Sequence, residues 1–523
     1  MTRDEAWDAL DAPWDLVVVG GGITGAGVFA QAAAAGYRCL LLEQRDFAWG
    51  TSSRSGKLVH GGLRYIAQGQ IRTSFHSVRE REDMLRRYAG LVTPLEFVIP
   101  MPRRGGCVMK GGLAVLLAMY DRMAGRPSRK FRRGEELSAH VPGLAGLERG
   151  AWSFLDGTTD DARLVLRVLA EGRALGGTAL NYVSVARVLR DGEGRVAGVA
   201  AVDVVTGRSR EIQARAVVNA TGAWADGLRC GQGGKPRLRP LRGSHLVLPF
   251  HRLPLDRAVA LRSPADGRNL YILPWEGRIL LGTTDLDHPA SLSVEPAIAP
   301  EEGLYLLEAA NAFFPQANLV PGDVLSTIAG VRPVIGTGKK DPSRESRDEA
   351  LWVDDGLVTI AGGKLTTFRR MARRALDLAV RDLGAPGQPP VAGSPVDPDA
   401  VDLPARLAGR FGPDAPAVLA GALPGGLETI EDTRFLWAEL DWAVRHEQVV
   451  HLDDLLLRRT RVGLLLPDGG ASLLPALGPR VRPALGWDEA RWDLEAIRYN
   501  DLWRRFYSPA LLADGKSLTR GAR

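Results

Sequence analysis

The sequence predicts an α/β protein: a Rossmann-like nucleotide-binding domain, an interleaved β-rich domain and a helical C-terminal domain. Three observations predict it. A buried-type strand, Asp15 to Val19, runs into Gly20-Gly21-Gly22 and then into a helix. Helix-like and strand-like stretches alternate near the start, and strands then crowd together in the middle of the chain. Beyond a Pro- and Gly-rich stretch the pattern is helical. Alternation indicates a parallel sheet covered by helices, whereas clustered strands indicate a second, separately built sheet.

The elements follow in order. The strand at 15–19 leads into a helix from Ile23 to Ala35, which Gly36 ends because glycine tolerates the left-handed conformation. A second strand, Arg38 to Leu42, stops at Glu43, completing a βαβ unit. Gln70 to Tyr88 and Asp161 to Leu175 read as amphipathic helices, and Ala179 to Val218 is strand-rich with a turn at Asp191-Gly192-Glu193-Gly194. Further strands are expected at 245–248, 269–273 and 278–282, then a helix at 301–314. Strands at 351–353 and 357–360 flank an Asp354-Asp355-Gly356 turn, and a helix is expected from Lys364 to about Leu383. Segments of about 14–70, 156–240 and 330–383 make the nucleotide-binding domain, and about 90–155 and 241–330 the β-rich substrate domain, within one region, 1–383. Residues 384–404 read as a linker and 405–523 as the helical domain.

The 523 residues are 45% hydrophobic and 24% charged, which excludes collagen-like, low-complexity and mostly disordered chains. No apolar run approaches the roughly 18 residues of a membrane span. The opening, MTRDEAWDALDAPWD, is too acidic for a signal peptide. Cys39, Cys107 and Cys230 are far apart, so no disulfide framework and no metal site is expected, in keeping with the cytosol. The net charge of +6 suits an anionic partner or simply an Arg-rich proteome. No module interleaves aromatic with basic residues, so nucleic acid is not expected.

Gly20, Gly22 and Gly25 form GxGxxG between a strand and a helix, with Glu43 lying 18 residues after the last glycine. This Rossmann-like arrangement lets backbone N–H groups approach a pyrophosphate at a helix N-terminus, and the acid takes ribose hydroxyls. A carboxylate there disfavours a 2′-phosphate, so FAD or NAD is expected over NADP. Phe29 occupies a position where a small residue normally lets helix and strand pack, which implies local repacking.

Three later segments favour FAD. Gly50 to Tyr65 (GTSSRSGKLVHGGLRY) is dense in hydroxyls, glycines and cations, and Thr51, Ser52 and Ser53 are candidate pyrophosphate contacts. Val217 to Asp226 is a strand ending in a small-residue turn that includes Ala220, Thr221 and Gly222. Ile360 to Phe368 repeats strand, glycines and helix start, with Gly363, Leu365 and Thr366 as candidates; a helix N-terminus stabilises the negative charge of a reduced flavin.

These residues resemble the FAD-dependent, quinone-linked glycerol-3-phosphate dehydrogenases of the D-amino-acid oxidase-like flavoprotein family. The resemblance runs through 20–27, 51–65, DGTTDDARL (156–164), 219–224, LRGSHLVLP (241–249), GTTD (282–285), GVRP (330–333), GGKLTTF (362–368) and 438–461. It implies a Rossmann-like FAD-binding domain with an interleaved substrate domain, and oxidation of sn-glycerol 3-phosphate to dihydroxyacetone phosphate by hydride transfer to FAD. It places Arg64 and Arg332 on the phosphate, Tyr65 as a hydrogen-bond donor, Lys364 near the flavin ring and Val185 near adenine. His60 is the imidazole best placed by sequence to act as base, His245 a weaker candidate for the pocket; the proton acceptor stays unassigned. Thr283 and Thr284 are expected near substrate and Asp285 in a structural role. Alternatives are a glycerol-3-phosphate oxidase using O2 or an amine or amino-acid oxidase of the same superfamily; a redox-silent flavoprotein is the reading from another class.

The resemblance also implies membrane quinone as acceptor, hence a cytoplasmic chain associated peripherally with the inner face of the membrane. The apolar stretch Val108 to Met123 and the basic run through Arg129, Lys130, Arg132 and Arg133 form a candidate anchor, against a buried helix with a solvated basic loop.

Overall fold

The computed structural model describes residues 3–63, 66, 69–102, 106–231, 235–339, 345, 348–384 and 403–513. Residues 385–402 of the expected linker lie outside them.

Two sheets organise the chain. In the first, Trp14–Val19 lies between Cys39–Leu42 and Ser209–Asn219 and is parallel to both. Thr178–Leu180 extends it on one side and Leu357–Gly362 on the other, also in parallel, with Glu349–Asp354 as an antiparallel edge. The central strands read as unbroken apolar runs because both faces are covered: Leu16, Val17, Val18, Leu40 and Leu41 are fully buried. Helices Ile23–Ala34, Asp161–Ala174 and Phe368–Ala379 pack together on one face. Gly36 (φ +89°) ends the first of these while Tyr37 N–H donates to Ala32 O.

Phe29 is repacked by glycines from elsewhere. A Cβ on Gly172 would lie 2.4 Å from its ring and one on Gly177 2.6 Å, so two side-chain-free positions make the space the fingerprint helix lacks.

The second sheet runs Leu286–Asp287, Leu238–Pro249, Arg278–Gly282, Asn269–Trp275, Ala258–Arg262, Val92–Pro100, Ala151–Thr159 and Leu58–Val59; Ser326–Ile335 pairs with Leu238–Pro249 and Lys130–Arg132 with Ala151–Thr159. Its strands cross the expected domain boundaries. Leu58–Val59 comes from a segment assigned to the nucleotide-binding domain, and Leu238–Pro249, Ala151–Thr159 and Ser326–Ile335 each begin or end beyond the expected limits. The expected helix from Lys364 divides into a short turn, Leu365–Thr367, and the helix Phe368–Ala379.

One face of this sheet buries Leu246, Leu248, Ile279 and Leu281 against the helix Pro300–Phe313. The other face presents Val247, Leu273, Trp275 and Leu280 to the C-terminal helices, which bury Leu455, Leu456, Leu464, Tyr499 and Trp503 in the same cluster. The helical domain thus shares a core with the sheet. Helix Gly106–Ala124 lies at the surface: Val108 and Val115 are 83% and 64% exposed, while Leu117 and Tyr120 are buried.

At the N-terminus Arg3 pairs with the buried Asp203 through two bonds, at 2.7 and 3.0 Å, and fastens helix Arg3–Asp8 to the strand Val196–Asp203. Burial alone would raise the Asp203 carboxyl. Bonds from Arg3, Thr206 Oγ1 and Val205 N–H outweigh it and bring the carboxyl down to about 2. A depressed carboxyl contributes stability above its unfolded value and loses it as pH falls through the folded value. Arg3→Ala should therefore cost about 1–3 kcal/mol at neutral pH, read from the urea midpoint. The deficit should shrink between about pH 4 and pH 2, as the unfolded and then the folded carboxyl take up protons.

Candidate active site

A cavity of about 380 Å³ opens at the carboxyl ends of the first sheet's parallel strands, where doubly wound sheets bind ligands. Val19 and Gly20, Leu42 and Glu43, Ala220 and Thr221, and Ile360 to Leu365 line it from four strand ends. Gly20 (φ +110°) lies so close to the next strand that a Cβ would come 2.6 Å from Ala220 O. A Cβ on Gly25 would sit 1.9 Å from Gly20 O, so only glycine lets the helix start there. Glu43 accepts from Gly21 N–H at 2.6 Å and Arg45 N–H at 2.9 Å, and burial pushes its carboxyl up.

The loop after Glu43 forms the next wall. Ser52 Oγ accepts from Ile23 N–H at 3.0 Å, at the helix N-terminus, and faces Gly22. Thr51 lines the cavity and donates to Val331 O, tying the loop to the second sheet. Ser53 is buried and turned towards Gly50 O, and it is not in the wall. Ser55, which the sequence did not single out, takes that place. Val183, Val185 and Ala186 line one end with Trp49 and Trp224, whose rings are 5.6 Å apart. Thr221 and Gly222 line the wall, with Thr221 Oγ1 donating to Asn219 Oδ1 at 2.6 Å. At the other end lie Pro333, Gly363, Lys364 and Leu365. Gly363 (φ +73°) has Met371 Sδ where a Cβ would go. Thr366 is buried behind them and donates to His60 O at 3.2 Å.

Arg332, next to Pro333, lies on the second sheet opposite Leu241; Gly243 is opposite Gly330 and His245 opposite Ile328. Directly opposed residues share a face, as do alternate ones along a strand. Arg332, Gly243 and His245 therefore form one row. The missing side chain at Gly243 lets the Arg332 guanidinium fold over it, 2.2 Å from where a Cβ would be. Thr283 Oγ1 accepts from Arg332 at 2.8 Å, Thr284 O at 3.2 Å and Asp285 at 3.0 Å, so GTTD aims the guanidinium. Behind the sheet the buried Glu302 accepts from Ser244 Oγ at 3.0 Å, from Thr284 Oγ1 and from Arg242 at 2.8 Å.

His245 is 2% exposed, and neither ring nitrogen has a hydrogen-bond partner among the described residues. Its ring lies over Gly282, and Gly56 approaches Nε2 from the nucleotide-binding side. Burial holds its pKa well below the ordinary histidine value, with Arg332 and Lys57 adding to the effect. Sequence reasoning gave it little weight, because its neighbours depend on the register of three strands. His60 contributes its carbonyl here, and its ring is not in the cavity wall. Arg64 and Tyr65 lie outside the described residues; Gly61 before them is anchored to Tyr120 Oη at 2.9 Å and Asp156 at 3.1 Å.

Residues 15–369 match the family FAD dependent oxidoreductase. The chain belongs to this family. As an FAD-dependent oxidoreductase it also carries, at 360–492, a match to the C-terminal domain of alpha-glycerophosphate oxidase. It is 38% identical to an aerobic glycerol-3-phosphate dehydrogenase of Staphylococcus aureus strain USA300 over 378 residues, 71% of this chain and 67% of that one. A Staphylococcus epidermidis enzyme of the same name is 38% identical over 381 residues, 71% of this chain and 68% of the relative. The structure of a Bacillus halodurans glycerol-3-phosphate dehydrogenase complexed with FAD superposes with a TM-score of 0.75 and 28% identity, covering 96% of this chain and 97% of that one. The glycine cradle, the acid at 43 and the cavity open to all four strand ends fit FAD. Gly25→Ala should strip it: purified protein should carry less than a tenth of the parent's flavin, read from the ratio of flavin to protein absorbance.

Proposed function

We propose that the chain oxidises sn-glycerol 3-phosphate to dihydroxyacetone phosphate, with FAD as hydride acceptor and a membrane quinone as final electron acceptor. The observation that carries this reading is the row of an aimed guanidinium and an unpartnered, buried imidazole beside the cofactor cavity. The names of the Staphylococcus and Bacillus relatives support the substrate.

Bound FAD supplies a two-electron acceptor that the side chains lack. Arg332 holds the substrate phosphate; its planar fork suits two phosphate oxygens and stays charged at any working pH. Thr283 and Asp285 fix its direction in advance, so little ordering is left for binding to do. His245 takes the C2 hydroxyl proton on a ring nitrogen as the C–H bond gives up its electron pair as hydride. Burial and the two nearby cations keep it neutral, which a proton acceptor requires. Lys364, in the cavity wall, offsets negative charge developing on the cofactor side. Glu43, Ser52, Thr51, Val185 and the glycines hold the dinucleotide.

Addition of glycerol 3-phosphate without oxygen should bleach the flavin band near about 450 nm; an unchanged band would reject this substrate. Arg332→Ala should raise KM about 30- to 150-fold, the loss of a charge-assisted pair worth ~2–3 kcal/mol. His245→Asn should lower kcat about 10²- to 10⁴-fold with flavin retained. Peroxide produced in air at the rate of turnover would assign O2 as acceptor.

The quinone reading needs a membrane face, and helix Gly106–Ala124 offers one. No helix among the described residues is long and apolar enough to cross a membrane. Within the basic run, Arg129 pairs with Asp121 and Arg132 with Glu96, while Lys130 and Arg133 are exposed, as are Val108 and Val115 on the helix. An apolar strip flanked by cations suits an anionic bilayer. The parent should float with anionic vesicles. A Val108→Asp/Val115→Asp variant should stay behind while keeping its turnover with a soluble dye; equal flotation would reject this helix as the anchor.

A further inference from the structure

We propose that Arg461, delivered from the C-terminal domain, is a positioning residue for the cofactor-and-substrate loop 53–57, acting through Asp161. The helical domain then completes the active site without contributing a residue to the cavity wall.

Arg461 follows the wide helical turn Leu455–Arg459 and is almost fully buried. Its Nη1 donates to Leu457 O at 2.7 Å, its Nε to Asp160 Oδ1 at 2.9 Å and its Nη2 to Asp161 Oδ1. Asp161 is 0% exposed and is the hub of the loop. It accepts from Ser55 N–H at 2.9 Å, Ser55 Oγ at 2.7 Å and, through both oxygens, Lys57 Nζ at 2.9 Å. Lys57 Nζ also donates to Ser53 O at 2.8 Å, so the loop curls around its own ammonium. Lys57 has φ +60°, a conformation a lysine keeps only where its surroundings enforce it.

The loop has two working sides. Ser55 is in the cavity wall, and Gly56 lies where a Cβ would be 3.4 Å from His245 Nε2. Displacement of the loop moves both at once. Buried charge makes the arrangement sensitive to Arg461. Asp160 and Asp161 are adjacent and buried, and among the described residues Arg410, Arg461 and Lys57 are the cations paired with them. Removing Arg461 leaves two neighbouring carboxylates facing two cations in a low-dielectric setting, and a buried pair broken on one side destabilises its surroundings. Asp161 would then turn, and its bonds to Ser55 with it. The consequence for turnover rests on the role given above to His245; the consequence for cofactor binding does not.

The test uses the full-length holoenzyme. Arg461→Gln should weaken FAD binding at least tenfold, measured from the fluorescence of released flavin, and blur the fine structure of the bound flavin spectrum. Arg461→Lys, which can still reach Asp161, should recover most of that loss. Glu447→Gln breaks another interdomain pair, with Arg163, whose side chains make no bond to residues 53–57 or to Asp161 among the described contacts; it should lower Tm while leaving FAD affinity within twofold of the parent. The proposal is overturned if Arg461→Gln behaves like Glu447→Gln, with a lower Tm and unchanged FAD affinity and spectrum. If Arg461→Gln does not fold, Asp161→Asn decides, since it keeps the side chain's shape and weakens its hold on Arg461, Ser55 and Lys57: a loss of FAD affinity of threefold or more supports the proposal, and a smaller one overturns it. None of these readouts involves glycerol 3-phosphate, so a failed substrate titration would leave them standing.

Discussion

Much of this molecule depends on two adjacent buried carboxylates, Asp160 and Asp161, at the start of helix Asp161–Ala174. Asp160 caps the helix by accepting from Arg163 N–H and also takes Arg410 and Arg461 from the C-terminal helices. Asp161 gathers the loop that walls the cofactor cavity. Such charges are costly to bury singly and tolerable only when paired on every side. One dipeptide thereby obliges a helix, a loop and a distant domain to meet in one geometry.

The second sheet divides its labour between its faces and along its length. Its outer face is closed by helix Pro300–Phe313, from which Glu302 reaches through to Ser244, Thr284 and Arg242. Its inner face is apolar where the C-terminal helices cover it and carries Arg332 and His245 in one row, Arg332 next to Pro333 of the cavity wall. A polar pocket beside a firmly packed core keeps its side chains in place before any ligand arrives.

What the sequence shows well is local. The strand, glycines, helix and acid of the fingerprint lie within about thirty residues, and their spacing alone announces a dinucleotide cradle. The Asp354-Asp355-Gly356 hairpin and the helices were legible for the same reason, since their periodicities need no distant partner. The His245 row was not, because it arises from pairings among strands that begin at 238, 278 and 326. Arg461 and Asp161 are 300 residues apart, and nothing in either segment names the other. Phe29 announced a problem whose solution, at Gly172 and Gly177, only the packed helices reveal. Ser53 and Ser55 differ in role because the loop bends around Lys57, a curl that composition does not encode.

The strand Leu58–Val59 has a mechanical consequence. It leaves the cavity loop directly into the second sheet, while Thr51 is tied to Val331 and Arg54 to Ala329 and Glu295. Dinucleotide cradle and second sheet are therefore stitched together at several points. Hinge bending between them would have to break these ties.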